Sequence, residues 1–169
     1  MTLIDPGGPR HESVADGFVT ISVPAAWELL RNAYPGVELV VVEPEQEGLF
    51  RANLVLAVAD VAMGFADWQK GTDVYLAKEL RDYVLLDLEK LPVGGHPGGR
   101  RLATYATAEN QSVTMEQWTT LVDGRGVTLT ASTGTLTYAH HSFLLAEVVA
   151  SLRVGAHRGE RSNAPEVRA

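Results

Sequence analysis

The sequence contains no cysteine and few aromatic residues, which make up 7% of the chain. A chain without cysteine forms no disulfide bond, thiolate metal site or cysteine nucleophile, and it offers no residue for a lipoprotein anchor. No apolar run approaches the roughly 18 residues that a transmembrane helix needs. The first residues, MTLIDPGGPRHES, lack the basic start and apolar stretch of a signal peptide. We therefore expect a cytoplasmic protein without membrane insertion.

Basic residues are also scarce, since 14 Lys and Arg stand against 21 Asp and Glu, for a net charge of −7. Nucleic acids and anionic membranes are polyanions that bind basic surfaces, so neither is an expected partner. A length of 169 residues suits one domain. We predict a flexible tail over 1–16, a single domain over 17–154 and a disordered tail over 155–169.

Alternation of apolar and polar residues predicts a mainly antiparallel sheet of about six to seven strands. The Asp123-Gly124 step favours a hairpin, and the Gly/Pro-rich stretch Pro92–Gly99 predicts a long turn. Together with helices on both sides, the sheet predicts an α+β fold of the α/β/α sandwich type. The predicted strands are Gly17–Val23, Val37–Glu43, Leu49–Val61, Tyr83–Leu91, Arg100–Glu109, Ser112–Asp123 and Val127–Thr133, and the predicted helices are Ala25–Ala33, Thr72 to about Arg81 and Tyr138–Leu152.

The candidates for chemistry each lack a partner at the required spacing. His140 and His141 are adjacent, so on a helix they point about 100° apart and do not converge on one ion. The glycine-rich stretch around His96 precedes a strand and not the helix N-terminus that a phosphate-binding loop needs. Acidic residues lack the spacing of an EF-hand, and no serine lies in a GxSxG motif. We therefore predict no catalytic, cofactor-binding or metal-binding residue, and no enzyme.

Two surfaces remain as candidates for binding. Met63, Phe65 and Trp68 lie in a predicted loop, where they either fold back over the sheet or form an interface of the kind that large apolar side chains favour. Thr128 and Thr130 recur at period 2 on a strand beside Trp118, which predicts either a solvated face or a polar groove with Trp118 as its floor. We take the first surface as the possible partner-binding site and the second as a possible groove.

The order of these elements resembles the PsbP-like (Mog/PsbP) fold, and within it the actinobacterial LpqN-type and DcrB-like domains. The resemblance covers roughly residues 17–154. It depends on four short pieces: Pro24 with Trp27, Phe50 with Asn53-Leu54, Gly99-Arg100-Arg101, and Gln117-Trp118. It implies partner-binding modules, among them a photosystem II accessory protein, a nuclear-transport factor that binds a small GTPase, effector chaperones and envelope lipoproteins.

The sequence thus favours a non-enzymatic protein-binding, accessory or chaperone-like module. Its protein partner is unidentified, and a homodimer is possible. The alternative is a carrier or sensor for a small apolar ligand, which requires an enclosed pocket of about several hundred Å³. A hydrolase or metalloenzyme is the third hypothesis, and it requires side chains that converge in space without a sequence motif.

Overall fold

The structure is a computed structural model that describes residues 8–155. These residues form ten strands, two α-helices and one short 3-10 turn. In chain order, the elements are β1 (Pro9–Val14), β2 (Val19–Pro24), β3 (Glu28–Tyr34), β4 (Val37–Val42), β5 (Asn53–Asp60), α1 (Phe65–Glu79), β6 (Arg81–Val93), β7 (His96–Ala106), β8 (Ser112–Val122), β9 (Arg125–Gly134), the 3-10 turn (Thr135–Thr137), α2 (Tyr138–Ser151) and β10 (Arg153–Val154).

The strands form two antiparallel sheets. The larger sheet has seven strands in the order β3-β4-β5-β9-β8-β7-β6, and the smaller has three in the order β1-β2-β10. Helix α1 lies on one face of the large sheet, and the small sheet and α2 lie on the other. The predicted α+β class with an antiparallel sheet between helices is confirmed.

The main core lies between the large sheet, the small sheet and α2. Alternate residues of β9 face it, including Val127 and Leu129, and α2 contributes Leu145 and Val148. Full burial of one such side chain stabilises the fold by about 1.5–3 kcal/mol. A second, smaller cluster under α1 contains Leu76, Ala103 and Met115.

Two hairpins bring the ends of four strands together at one end of the large sheet. The predicted hairpin forms here: Asp123 and Gly124 adopt φ of 50° and 75°, so β8 and β9 meet in a two-residue turn. The prediction of a long turn over Pro92–Gly99 is wrong. Gly94 and Gly95 adopt φ of 61° and 89° and make a two-residue turn, because glycine occupies this region without steric cost.

The predicted helix over Ala25–Ala33 is also wrong. A turn closes where the Trp27 N–H donates to the Pro24 carbonyl at 3.2 Å, and the chain then pairs with β4 as strand β3. The helical spacing of Trp27 and Leu30 is a weak local preference, which pairing with a neighbouring strand overrides. Trp27 is buried in the main core.

Helix α1 begins earlier than predicted. It starts at Phe65, after Gly64, and not near Thr72. Gly71 lies inside the helix, although glycine is a weak helix former and its position favoured a helix that begins only after it. Most of the predicted loop that holds Met63, Phe65 and Trp68 is therefore the first half of α1.

The boundaries of the predicted tails also differ. Residues 9–14 form β1, which pairs with β2 along its whole length, so the flexible tail predicted over 1–16 is wrong for that stretch. Gly155 donates its N–H to the Phe18 carbonyl at 2.9 Å, which ties it to the small sheet. The rest of the two predicted tails, 1–7 and 156–169, lies outside the described residues.

Within residues 8–155, no helix is both long and apolar enough to cross a membrane.

Two glycine-to-alanine substitutions test how α1 packs on the sheet. A Cβ atom at Gly126 would lie 2.7 Å from both Trp68 Cη2 and Val61 Cγ2, so Gly126→Ala is expected to destabilise the fold by about 1–3 kcal/mol. Nothing lies within 4 Å of a Cβ atom at Gly71, so Gly71→Ala is expected to stabilise α1 by about 0.5–1 kcal/mol. Urea denaturation measures both free energies of unfolding. Equal stability of Gly126→Ala and wild type would show that Trp68 does not pack there.

Candidate functional site

The predicted partner-binding residues lie at the start of α1. Met63 precedes the helix and is 53% exposed, while Phe65 and Trp68 are half-buried in the first turn. The two rings meet edge to face with centroids 6.1 Å apart. Trp68 packs on Gly126, and Phe65 Cζ lies 3.4 Å from the position of a Cβ atom on Gly99. Phe65 and Trp68 thus anchor α1 on the sheet, and Met63 points to solvent.

A cleft of about 920 Å³ opens beside Phe65, where the two hairpins end. It is open to solvent, and most of its lining is apolar. Mainly apolar walls with a few polar groups are typical of binding sites. We call it the hairpin cleft, and its lining residues are Phe65, Lys90, Leu91, Pro92, Gly95, His96, Pro97, Gly98, Leu121, Val122 and Asp123.

The predicted groove of Trp118, Thr128 and Thr130 is not formed. Trp118 lies opposite Leu129, is 5% exposed and belongs to the main core. Thr128 and Thr130 flank Leu129 on β9, so their side chains point to the other face of the sheet. The prediction placed Trp118, Thr128 and Thr130 on one face of the sheet. The pairing of β8 with β9 instead puts Trp118 on one face and the two threonines on the other.

A buried arginine joins α1 to three strands. Arg101 of β7 is 1% exposed and donates through Nε to Asp73 Oδ1 of α1 at 3.0 Å. Its Nη1 donates to Gln117 Oε1 of β8 at 2.5 Å, and Gln117 Nε2 donates to Thr130 Oγ1 of β9 at 3.1 Å. Removing Asp73 would leave the buried Arg101 charge without its carboxylate, which costs about 3–5 kcal/mol in a fully buried pair and less here, because the Asp73 side chain is 35% exposed. These bonds fix the position of α1, and with it Phe65, over the sheet.

Tyr83 of β6 lies beside this network. Burial raises the pKa of its phenol, and the nearby Asp73 carboxylate acts in the same direction while the Arg101 guanidinium opposes both. The Tyr83 hydroxyl is buried without a hydrogen-bond partner among the described residues. The phenol therefore stays neutral and acts as packing for the network.

A second charged cluster lies on the opposite face of the sheet. Glu116 of β8 is 6% exposed and accepts from Arg100 Nε at 2.7 Å and from the Tyr138 hydroxyl. Burial raises the pKa of Tyr138, and the bond to the Glu116 carboxylate raises it further. Arg100 also donates to Glu89 at 3.0 Å and Asp87 at 3.5 Å. The cluster links α2 to β6, β7 and β8 and satisfies the buried Glu116 carboxylate.

Three of the histidines, His11, His96 and His141, are held by structural contacts. His141 is buried, with Nδ1 3.0 Å from the Thr137 carbonyl and Nε2 3.2 Å from Glu43 Oε1. His96 Nε2 lies 2.7 Å from the Val154 carbonyl, and His11 Nδ1 lies 2.7 Å from Ser22 Oγ. In the described part of the chain, none of these three histidines contacts both a carboxylate and a hydroxyl nucleophile. Over the described range 8–155, no three His, Asp or Glu side chains are grouped to hold a metal ion.

The sequence contained signals for residues that the predictions missed. Arg100 and Arg101 follow each other on a strand, so they reach opposite faces, and each enters a separate charged cluster. Glu116 is the one charged residue of its strand and Gln117 follows it, and polar side chains that are buried in a strand need partners. The two-glycine turn between Pro92 and Pro97 is a hairpin signal that would have placed the cleft wall.

Comparison with known proteins shows the fold. No protein-family model matches the chain, and no curated protein matches it in sequence. Similar solved structures include LpqN of Mycobacterium tuberculosis, involved in cell envelope biogenesis (TM-score 0.66, 14% identity, 88% of this chain and 91% of that chain). The PsbP of Synechocystis (CyanoP) has a TM-score of 0.63 at 16% identity over 86% and 92% of the two chains. The Ran-binding protein Mog1p of Saccharomyces cerevisiae has 0.59 at 16% identity over 88% and 96%. The predicted PsbP/Mog1-like fold is thus confirmed.

Replacement of Tyr138 tests the second charged cluster. Tyr138→Phe removes a hydrogen bond to a buried carboxylate, so the fold should lose about 1.5–3 kcal/mol at neutral pH. The folded-state pKa of Tyr138 lies above the ordinary 10.0, so its stabilisation is complete below pH 10 and is lost as pH rises through the folded pKa. Denaturation at several pH values should therefore show a gap between wild type and variant that shrinks above pH 10.

Tyr75 is 62% exposed on α1 and provides the control, since Tyr75→Phe should leave the neutral-pH stability unchanged. A Tyr138→Phe variant as stable as wild type at neutral pH would contradict the role of the cluster.

Proposed function

We propose that this chain is a non-enzymatic accessory module that binds a protein partner through the hairpin cleft. One observation supports this most strongly: six apolar residues line a solvent-open cleft of about 920 Å³. They are Phe65, Leu91, Pro92, Pro97, Leu121 and Val122. Contiguous apolar surface open to water is typical of sites that another chain covers.

The charges at the cleft rim add specificity to this surface. Lys90 and Asp123 stand among the lining residues and bring opposite charges to the cleft. A partner segment with apolar anchors between polar positions would match this pattern. The fold supports the same proposal, since the similar Mog1p is a Ran-binding protein.

The open shape of the cleft favours a protein partner over the alternative of a small apolar ligand. A binding pocket for a small molecule buries about 70–90% of the surface of its ligand. A cleft open to solvent leaves more of a small ligand exposed, but it admits part of a longer chain.

Selection from a library of displayed peptides on the immobilised protein tests the proposal. Leu121→Arg places a charge in the cleft, and we expect the selected peptides to bind this variant at least about tenfold more weakly than wild type. Phe143→Arg is the matched control, because Phe143 is 76% exposed on α2, which contributes no residue to the cleft. Binding to this variant should equal binding to wild type.

Three results would contradict the proposal. The first is peptides whose binding Leu121→Arg leaves unchanged. The second is peptides whose binding is weakened by Phe143→Arg instead, which would place the binding surface on α2. The third is the absence of any selected peptide together with saturable binding of an apolar fluorescent dye that Leu121→Arg abolishes, which would favour the small-ligand alternative.

A further inference from the structure

The free edge of the large sheet leads into the hairpin cleft. Strand β6 has 13 residues and ends the seven-stranded sheet, where β7 is its paired neighbour. Main-chain groups on its outer side have no paired strand among the described residues. Lys90, Leu91 and Pro92 belong both to β6 and to the lining of the cleft.

Two prolines show which main-chain groups point outward. Pro92 lies directly opposite Pro97 in the pairing of β6 with β7. Because neither residue has an N–H, they form a non-hydrogen-bonded pair, whose main-chain groups point away from each other. The register is continuous from Asp87 to Val93. The main-chain groups of every second residue, counted back from Pro92, therefore point outward in the same way. Lys90 and Leu88 therefore present an N–H and a C=O at the free edge.

The side chains of this edge have different chemistry on the two faces. Leu88 lies opposite Arg101, on the face that carries α1, and is 52% exposed. Asp87 and Glu89 point to the other face, and each side chain remains 49% exposed although both contact Arg100. An added strand would thus have an apolar neighbour on one face and carboxylates on the other.

The opposite edge strand, β3, is less suited to pairing with an added strand. Strand β3 has seven residues, its register with β4 shifts between Arg31 and Tyr34, and Asn32 adopts φ of 50°. Such bulges are a common protection of edge strands against pairing with other chains. In β6 the register shifts occur before Asp87, which leaves the stretch next to the cleft regular.

We propose that the partner is an extended segment of alternating apolar and basic residues, which pairs with the outer edge of β6 at Leu88 and Lys90. Main-chain hydrogen bonds along the edge bind the segment, and its basic side chains meet Asp87 and Glu89. The segment then continues past Lys90 into the hairpin cleft, and in this last step the inference rests on the proposed function. A second copy of this chain fits less well, because it would bring two sets of the same carboxylates together.

A synthetic peptide of roughly eight residues, the usual length of a strand, that alternates valine and lysine tests the pairing. Peptides of the same length that alternate valine and glutamate, or that carry valine and lysine in two blocks, are the controls. Fluorescence anisotropy of the labelled peptides with the full chain should show binding of the first peptide alone. Equal binding of all three would overturn the inference.

Two variants of one residue isolate the main-chain bond. Lys90→Ala keeps the outward N–H and Lys90→Pro removes it, while neither breaks a bond to β7. We expect Lys90→Pro to bind the peptide at least about tenfold more weakly than Lys90→Ala. Equal binding by the two variants would overturn the inference.

Charge reversal gives a measurement that does not depend on how well Lys90→Pro folds. Glu89→Lys should weaken the valine–lysine peptide and strengthen the valine–glutamate peptide, and no change in preference would overturn the inference. The Leu121→Arg variant separates the two proposals. If it weakens the selected peptides while Lys90→Pro does not, the cleft proposal stands and the edge pairing fails. If neither variant weakens them, both fail.

Discussion

The position of α1 depends on one interaction, the ion pair between the buried Arg101 guanidinium and the part-exposed Asp73 carboxylate. Helix α1 contributes little apolar surface beyond Leu76 and its first-turn aromatic residues, so this polar contact carries much of the docking. Arg101 reaches further, to Gln117, and through it to Thr130. A charged group that is 1% exposed stabilises one arrangement only, because any other leaves it without partners in a low-dielectric interior.

The hairpin cleft follows from that docking. Phe65 is the first residue of α1 and lies near Gly99, where the lack of a side chain lets the ring approach the sheet. The two-residue turn at Gly94 and Gly95 brings Pro92 and Pro97 to the same end. Burial of the open apolar surface there by a bound chain would stabilise the complex by roughly 25 cal/mol for each Å² removed from water. This recovery is the physical basis of the binding that we propose at this end of the sheet.

Local alternation predicted seven of the ten strands, and the chemistry of the Asp123-Gly124 step predicted the hairpin turn. The prediction failed at β3, where the spacing of Trp27 and Leu30 imitates a helix and only the pairing with β4 reveals a strand. It placed Trp118 with Thr128 because alternation within a strand gives relative faces but not how two strands align. The cleft combines Phe65 with residues far along the chain, so a local pattern such as the two-glycine turn could indicate one wall but not the cleft itself.

Amide hydrogen exchange in the Asp73→Ala variant tests this account most directly. We predict that amides of Phe65–Glu79 exchange at least about tenfold faster than in wild type, because the Arg101 charge then stays buried without its carboxylate. Tenfold corresponds to about 1.4 kcal/mol, a cost reduced from that of a fully buried pair since Asp73 is 35% exposed. The amides of β5 and β9 should keep their protection. Unchanged exchange in α1, or an equal increase through the whole sheet, would contradict the claim that Arg101 holds this helix, and with it the cleft, in place.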